Sequence, residues 1–284
     1  MKFTKMHGCG NDYVYINCFE ESIANPEELA IKMSNRNFGV GSDGLILVMP
    51  SEVADCRMRM FNSDGSESEM CGNGIRCVGK FVHDKNICKK EPLTVETLGG
   101  TKILEFIKGE DGFVKSVKVN MGEPVFEASQ IPLKLPEENN NNNIIKDLKL
   151  TSLDREFEFT CVSMGNPHAV TFIDGVSDFN VDSYGEVLES AEVFPNRANI
   201  EFAEVLDQNN IKMRVFERGS RETYACGTGA CATMVAGFLN NKTSRSDVNI
   251  HLLGGVLNIS WSEDDNCVYM TGEAEFVFEG DWLL

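Results

Sequence analysis

The feature that most constrains this chain is a motif that occurs twice. Residues 61–82 and 216–239 each run from a strand-like lead through a Cys-Gly-x-Gly turn into an apolar, helix-like stretch. The motif cysteines are Cys71 and Cys226, and 71 + 155 = 226. The same offset relates further pairs: Asn11 and Asn166, Arg59 and Arg214, Gly72 and Gly227, Gly74 and Gly229. A single offset kept over so long a stretch predicts two copies of one domain, joined in tandem.

The length of the chain agrees with two domains. It has 284 residues, enough for each copy to bury its own core. Gly and Pro interrupt a strand pattern at 120–124, where we expect the boundary. We therefore predict a first domain at 1–121, to which a strand at 272–284 returns, and a second at 122–271. The polar tract at 137–143 predicts a surface loop in the second copy.

Hydrophobic patterning predicts many short strands and few helices. Apolar runs after the two cysteine turns predict buried helices at 75–82 and 230–239. Alternating residues before each turn predict half-buried strands at 57–61 and 211–216. Further strands are predicted at 13–17, 45–49, 93–97, 102–107, 114–120, 169–173, 248–252, 256–261, 268–271 and 275–278. This pattern indicates an α/β (α+β) fold, with a mostly antiparallel sheet wrapped around one helix in each copy.

Composition excludes several classes of partner. The formal net charge is −18 and the isoelectric point is about 4.6, so the field of the protein repels nucleic acid and anionic membranes. No apolar run is long enough to span a bilayer, and no signal peptide is evident, which predicts a cytoplasmic protein without membrane partners. The ten cysteines are then expected to be reduced, and their spacing predicts no metal site.

The twin turns suggest acid–base chemistry. A thiol at the start of a helix lies near the positive end of the helix dipole, which predicts a lowered thiol pKa. The following residues, Gly72-Asn73 and Gly227-Thr228, can bring backbone N–H groups close to a ligand carboxylate. If the two copies face each other, a cleft forms with one cysteine on each wall. Two thiols on opposite sides of a bound carbon are suited to proton exchange with inversion.

Other polar residues lie near the repeated turns. Four asparagines could each either form a turn or bind a ligand: Asn11, Asn62, Asn166 and Asn199. Glu217 and Arg218 could bind an ammonium and a distant carboxylate, or form a surface ion pair. His168 could tune a thiol or be structural.

Five segments together resemble one known family. They are MHGCGNDY at 6–13, FNSDGSESEMCGNGIRC at 61–77, SMGNPH at 163–168, PNRANIEF at 195–202 and FERGSRETYACGTGACA at 216–232. In this order, across nearly the whole chain, they are similar to the diaminopimelate epimerases. The resemblance implies cofactor-independent epimerisation of LL- to meso-diaminopimelate, in the synthesis of lysine and peptidoglycan precursors. It also implies two pseudo-symmetric β-barrel-like domains, each around a central helix, and a homodimer.

The resemblance also implies roles for individual residues. Cys71 and Cys226 match the acid–base pair, and Asn73 and Thr228, with the preceding Gly72 and Gly227, match the α-carboxylate cradle. The set that matches the contacts to the far end of the substrate is Asn11, Asn62, Asn166, Asn199 and Arg218. Glu217 matches the α-ammonium contact, and Glu217 and His168 match the groups that adjust the thiol pKa. One position departs from the family pattern, because Gly44 stands where some members have Gln.

Two other functions compete with this interpretation. Proline and hydroxyproline racemases resemble this chain in their paired cysteines, but they carry histidine where Asn73 stands and lack the distal Asn and Arg set. A thiol-redox protein could cycle Cys71 and Cys226 through a disulfide if their Cα atoms came within roughly 4.4 to 6.8 Å. That function leaves the asparagines and Arg218 without a role.

Overall fold

In the computed structural model of the protein, the described residues form two compact units. The structure describes residues 1–135 and 144–283, so the loop predicted at 137–143 lies outside the described residues. The first unit comprises residues 1–120 together with the C-terminal segment that begins at Thr271, and the second comprises Met121–Met270. Each unit carries one of the two Cys-Gly-x-Gly motifs.

The first unit begins with a run of strands interrupted by two helices. In chain order its elements are β1 (Lys2–Gly8), β2 (Asn11–Asn17), α1 (Pro26–Ser34), β3 (Gly44–Met49), β4 (Cys56–Asn62), β5 (Glu67–Ser68), α2 (Gly72–Asp84), β6 (Leu93–Thr97), β7 (Gly100–Lys108) and β8 (Val114–Gly122). The pairs β1–β2, β3–β4, β4–β5, β6–β7 and β7–β8 are antiparallel. The pairs β2–β3 and β4–β6 are parallel.

The second unit repeats this order. Its elements are β9 (Leu148–Ser152), β10 (Arg155–Ser163), β11 (Pro167–Phe172), a 3₁₀ turn (Val176–Asp178), α3 (Val181–Glu189), β12 (Asn199–Asp207), β13 (Asn210–Glu217), β14 (Arg221–Glu222), α4 (Gly227–Leu239), β15 (Val248–Leu252), β16 (Gly255–Trp261) and β17 (Val268–Glu273). The last strand of the chain, β18 (Glu275–Asp281), pairs antiparallel with β1 of the first unit.

The strand pairing of the two units corresponds element by element. In the second unit β10–β11, β12–β13, β13–β14 and β15–β16 are antiparallel, while β11–β12 and β13–β15 are parallel. These are the counterparts of β1–β2, β3–β4, β4–β5, β6–β7, β2–β3 and β4–β6. Helix α2 starts at 72 and α4 at 227, and 72 + 155 = 227. The offset read from the sequence therefore holds for the secondary structure.

A matched ion pair marks the same place in each unit. Arg59 donates from Nε and Nη2 to Glu67 at 2.7 and 2.9 Å. Arg214 donates in the same way to Glu222 at 2.6 and 2.8 Å. Each bidentate pair ties the strand that leads into the cysteine turn to the short strand that follows it.

The helices that follow the cysteines are buried and pack against strands of their own unit. Apolar positions such as Ile75 and Val78 in α2 and Met234 and Val235 in α4 have no exposed surface. Both helices begin three residues earlier than predicted, because the glycines of the turn already form the first helical turn. The structure also contains α1 and α3, which the sequence did not predict. They are short, and α1 buries little beyond Ala30 and Met33 at its centre, so their apolar pattern is weak. In the described part of the chain, no helix is both long and apolar enough to cross a membrane.

Candidate active site

Cys71 lies where the chain enters helix α2. Its backbone is extended, with φ −125° and ψ 121°, and its Sγ atom accepts a hydrogen bond from the N–H of Gly74 at 3.3 Å. Gly74 lies close to the core, since a Cβ there would lie 2.8 Å from Cδ1 of Ile46 and the Ile46 side chain would have to shift. The half-buried thiol thus serves as the N-cap of α2, beside the positive end of the helix dipole.

Two amide side chains lie next to Cys71. The thiol donates to Oδ1 of Asn11 at 3.1 Å, and Nδ2 of Asn73 reaches the same oxygen at 3.4 Å. Arg76 is fully buried; its Nη2 donates to Oδ1 of Asn73 at 3.0 Å, and its Nη1 donates to the carbonyl of Gly72 at 3.0 Å. Because a guanidinium offers only donors, it holds the Asn73 amide with its oxygen toward Arg76 and its nitrogen toward Asn11.

Asn11 is held from its other side by a carboxylate. Its Nδ2 donates to Oδ2 of Asp43 at 2.7 Å, and Asp43 in turn accepts from Arg36 at 2.9 Å. Close by, burial raises the pKa of Tyr13 well above its ordinary value, and the neighbouring Cys71 raises it further. The Tyr13 phenol therefore stays protonated near neutral pH.

Cys226 takes the same backbone position in the second unit. It has φ −119° and ψ 110°, and its Sγ accepts from the N–H of Gly229 at 3.4 Å while lying 3.5 Å from Oγ1 of Thr228. A Cβ at Gly229 would lie 2.7 Å from Oε1 of Glu201. The thiol is again the helix N-cap, but a carboxylate now occupies the place where the first unit has Ile46.

The electrostatic surroundings of Cys226 overturn one sequence prediction. Desolvation raises the pKa of this thiol well above its ordinary value, and the carboxylates of Glu217 and Glu201 raise it further. Hydrogen bonds from Thr228 and from the N–H of Gly229 act in the opposite direction but are outweighed. The prediction that the helix N-terminus lowers the pKa is therefore wrong for Cys226, because burial and two negative charges oppose the thiolate.

Glu217 ends strand β13 and interacts with Cys226. Desolvation raises its pKa, while hydrogen bonds from Thr223 and Cys226 and the electrostatic effect of His168 lower it in part. The hydroxyl of Thr223 donates to Oε1 of Glu217 and fixes the carboxyl group. Glu217 thus lies where it can exchange a proton with the thiol of Cys226.

His168 is buried and connects two polar side chains through its ring nitrogens. Its Nδ1 is 2.7 Å from Oε1 of Glu201, and its Nε2 is 3.0 Å from Oδ1 of Asn166. The side chains of His168 and Glu201 have no exposed surface. His168 therefore contacts Glu201 and Asn166 through its ring nitrogens, and its electrostatic effect lowers the pKa of Glu217 in part.

The remaining predicted residues lie at turns beside these groups. Nδ2 of Asn199 donates to the carbonyl of Pro167 at 3.1 Å, and its Oδ1 accepts from the backbone N–H of Arg218 at 2.9 Å. The exposed guanidinium of Arg218 donates to the carbonyl of Asn196 at 3.3 Å. Within residues 1–135 and 144–283, Arg218 forms no ion pair with Glu217.

Asn62 stands at the end of β4, in the position that matches Glu217. Its Nδ2 donates to Oγ of Ser66 at 3.0 Å, and its backbone N–H donates to the carbonyl of Ser66 at 2.8 Å. In the structure its side chain therefore stabilises the turn that follows the strand.

Sequence reasoning missed three residues of these surroundings: Tyr13, Arg76 and Glu201. The repeat itself carried a signal for each of them, because the offset pairs Tyr13 with His168, Ile46 with Glu201, and Arg76 with Cys231. Where the residue in one copy is charged or polar and its match in the other copy is not, the two copies differ locally in their chemistry. No group of three or more His, Cys, Asp or Glu is arranged to hold a metal ion within the described ranges.

Comparison with known sequences identifies the family. The model of the family described as diaminopimelate epimerase matches residues 3–127 and 160–277. A diaminopimelate epimerase of Acetivibrio thermocellus is 54% identical over 281 residues, covering 99% of this chain and 98% of the relative. One of Methanococcus maripaludis is 53% identical over 281 residues, covering 99% of each chain.

Solved structures share the fold. A PhzF-family phenazine biosynthesis protein of Bacillus anthracis superposes with a TM-score of 0.70 at 18% identity, covering 100% of this chain and 99% of the other. A probable proline racemase of Agrobacterium radiobacter K84 gives 0.67 at 14% identity, covering 100% and 93%. The predicted sheet-dominated α+β class is thereby confirmed. Because the family model and close relatives match almost the entire sequence, the chain belongs to the diaminopimelate epimerase family.

Proposed function

We propose that this protein interconverts LL- and meso-diaminopimelate by moving the proton on one α-carbon, without a cofactor. The observation that carries this function is the pair of cysteines that N-cap equivalent helices, Cys71 on α2 and Cys226 on α4. Membership of the family supports the substrate, a small amino acid.

In the proposed reaction the two cysteines act on opposite faces of the α-carbon. One sulfur, as thiolate, takes the α-proton, and the bond electrons remain on carbon as a carbanion. The other sulfur, as thiol, delivers its proton to the opposite face. The cycle ends with one thiol and one thiolate whose roles have been exchanged, so the reverse reaction uses the same groups in the opposite order.

Stabilising the carbanion is the main task, because an amino-acid α-proton is a very weak acid. Negative charge grows on the α-carboxylate as the proton leaves. We assign its binding to the first turns of the two helices, at Gly72-Asn73 and Gly227-Thr228, where backbone N–H groups and the helix dipole favour an anion.

We assign the other polar residues to substrate binding and thiol tuning. Glu217 lies beside Cys226 and can accept from the α-ammonium group. The far end of the substrate is assigned to amide and guanidinium groups, namely Asn11, Asn62, Asn166, Asn199 and Arg218. His168 and Glu217 are assigned to adjusting the thiol of Cys226. Gly44 supplies no side-chain contact of this kind, and a Cβ there would lie 2.1 Å from the carbonyl oxygen of Phe61.

We further propose that the two units arose by duplication of one domain, with boundaries at 121 and 271. The repeated element order and the constant offset support this origin. A cytoplasmic homodimer is the assembly and location implied by the family resemblance. Sedimentation of the purified protein would give the mass of a dimer, whereas the mass of one chain would contradict it.

The function is tested by incubating the reduced protein with pure LL-diaminopimelate and following the stereoisomers by chiral chromatography. We expect formation of the meso isomer without added cofactor, and no racemisation of proline or hydroxyproline in parallel samples. Turnover of proline with no change in diaminopimelate would favour the racemase alternative. No turnover of any of them, with reversible oxidation of Cys71 and Cys226 to a disulfide, would favour the redox alternative.

A further inference from the structure

Glu201 occupies a place that the first unit fills with an apolar side chain. The offset pairs it with Ile46, since 46 + 155 = 201, and both residues have no exposed surface. Each packs against the glycine in the first turn of the cysteine helix, at 2.8 Å for Ile46 and Gly74 and at 2.7 Å for Glu201 and Gly229, measured to an ideal Cβ. The fold therefore packs this place without a carboxylate, and Glu201 requires another explanation.

A carboxyl group at this place is unfavourable for stability. Burial of a charge is costly unless hydrogen bonds replace the lost water. Only one oxygen of Glu201 is compensated, because Oε2 is buried and has no hydrogen-bond partner within the described residues. A group that opposes folding in this way points to a role in the site.

The compensated oxygen leads through His168 to Asn166. Oε1 of Glu201 faces Nδ1 of His168 at 2.7 Å, and Nε2 faces Oδ1 of Asn166 at 3.0 Å. The carboxylate accepts from Nδ1–H of the ring, which fixes the orientation of the ring and places Nε2 against the Asn166 amide. The amide oxygen Oδ1 faces Nε2, so the N–H₂ group of Asn166 is turned away from the ring.

On the basis of the proposed function, we propose that Glu201 is a positioning residue for substrate binding. It holds the His168 ring, and the ring holds the Asn166 amide with its N–H₂ donors available to a carboxylate oxygen of the substrate. Glu201 itself touches no substrate. Its hydrogen-bond acceptor, rather than its bulk, is what the site uses.

The test compares three variants with the wild type. Glu201→Gln keeps an acceptor for His168, whereas Glu201→Ile copies the residue of the first unit and removes the acceptor. Glu204→Gln is a control on the same strand, where the Glu204 carboxylate accepts from the N–H of Val176 at 3.1 Å. Thermal unfolding and circular dichroism check each fold. If Glu201→Ile is insoluble, Glu201→Met carries the same test.

We expect Glu201→Ile to raise KM for LL-diaminopimelate on the order of tenfold, as for loss of one oriented hydrogen bond, with a smaller change in kcat. Glu201→Gln should restore KM to within about threefold of wild type, and Glu204→Gln should leave it unchanged. In an Asn166→Ala background, Glu201→Ile should add nothing further, because the two act through one contact. An unchanged KM in Glu201→Ile, or additive effects in the double variant, would overturn the assignment.

A second readout needs no substrate. Two-bond ¹H–¹⁵N spectra of the histidine rings, with His168 assigned by its absence in His168→Gln, report which ring nitrogen carries a proton. We expect Nδ1 of His168 to carry a proton in the wild type and in Glu201→Gln. In Glu201→Ile we expect a different distribution of protons between Nδ1 and Nε2. An identical His168 pattern in all three would exclude Glu201 as the holder of the ring. Absence of epimerase activity in the wild type, with the expected spectra, would instead reject only the proposed function.

Discussion

The surroundings of Cys71 and Cys226 share a backbone but differ in buried charge. Both thiols cap a helix of the same length and accept from the N–H three residues ahead. Around Cys71 the buried ion is a cation, Arg76, which holds an asparagine amide. Around Cys226 it is an anion, Glu201, which holds a histidine.

This difference separates what the fold requires from what the chemistry requires. The helix, the glycines and the N-cap cysteine recur in both units, so they belong to the architecture. The buried ionisable residues do not recur, and each unit buries its own at a cost in stability. We therefore attribute to them the orientation of polar groups and, at Cys226, a rise in the thiol pKa beyond the one that desolvation causes.

The largest effect is expected when either of the two motif cysteines is replaced. Cys71→Ala and Cys226→Ala should each reduce epimerisation by at least about a hundredfold, because each removes one of two acid–base groups. Chiral chromatography of the product measures this loss. Cys18→Ser in the first unit and Cys267→Ser in the second are controls that should keep wild-type rates. Substantial activity in either alanine variant would contradict a two-cysteine reaction.

Removal of the buried cation should be the next largest effect. Arg76→Met removes the hydrogen bonds that Arg76 donates to the carbonyl of Gly72 and to Oδ1 of Asn73, so we expect about 3 kcal/mol of lost stability. Urea unfolding measures it. Arg57→Met is the control, since Arg57 is partly exposed and lies 3.7 Å from Glu96, and it should cost well under about 1 kcal/mol. Equal losses of unfolding free energy in the two variants would show that the buried Arg76 stabilises the protein no more than the partly exposed Arg57.

The two matched ion pairs should differ in how much they stabilise the protein, and this difference is smaller than the effect of replacing Arg76. Arg214 also donates to the carbonyls of Val176, Ser177 and Phe179, contacts for which Arg59 has no counterpart in the described part of the chain. Arg214→Ala should therefore destabilise the protein by about 2 kcal/mol and Arg59→Ala by about 1 kcal/mol. Urea unfolding of both variants tests the ranking, and a reversed order would contradict it.

The smallest expected effect concerns the charge beside Cys226. Desolvation raises the pKa of Cys226, and the Glu217 carboxylate raises it further because it disfavours a nearby thiolate. Glu217→Gln removes that negative charge, so the thiolate should form at lower pH than in the wild type. The rate at which Cys226 is alkylated, read from its own peptide by mass spectrometry and followed against pH in a Cys71→Ala background, gives the midpoint. Glu204→Gln should not move it, and a midpoint that rose in Glu217→Gln would reverse the assigned sign.

The features that the sequence predicted are the ones that the repeat carries. The cysteine turns and their helices were predictable because Cys-Gly-x-Gly and an apolar run appear twice at one offset. Helix α3 was not predictable, because it is short and only half-buried. The raised pKa of Cys226 was also missed, because it follows from burial of the thiol and from the approach of carboxylates such as Glu201. Glu201 lies on β12, a strand whose position depends on pairing with β11. Contacts between strands distant in sequence decide burial and charge, and local patterns do not contain them.

The most direct test of the two-cysteine account is the fate of the α-proton in D₂O. The reduced protein is incubated with LL-diaminopimelate, and the α-proton signals of substrate and product are followed by NMR during the first turnovers. If one sulfur removes the proton and a different, solvent-equilibrated sulfur supplies its replacement, the meso product carries deuterium while the recovered LL isomer stays protonated. If the recovered LL isomer instead gains deuterium as fast as product forms, a single group is exchanging the proton, and the two-cysteine account is contradicted.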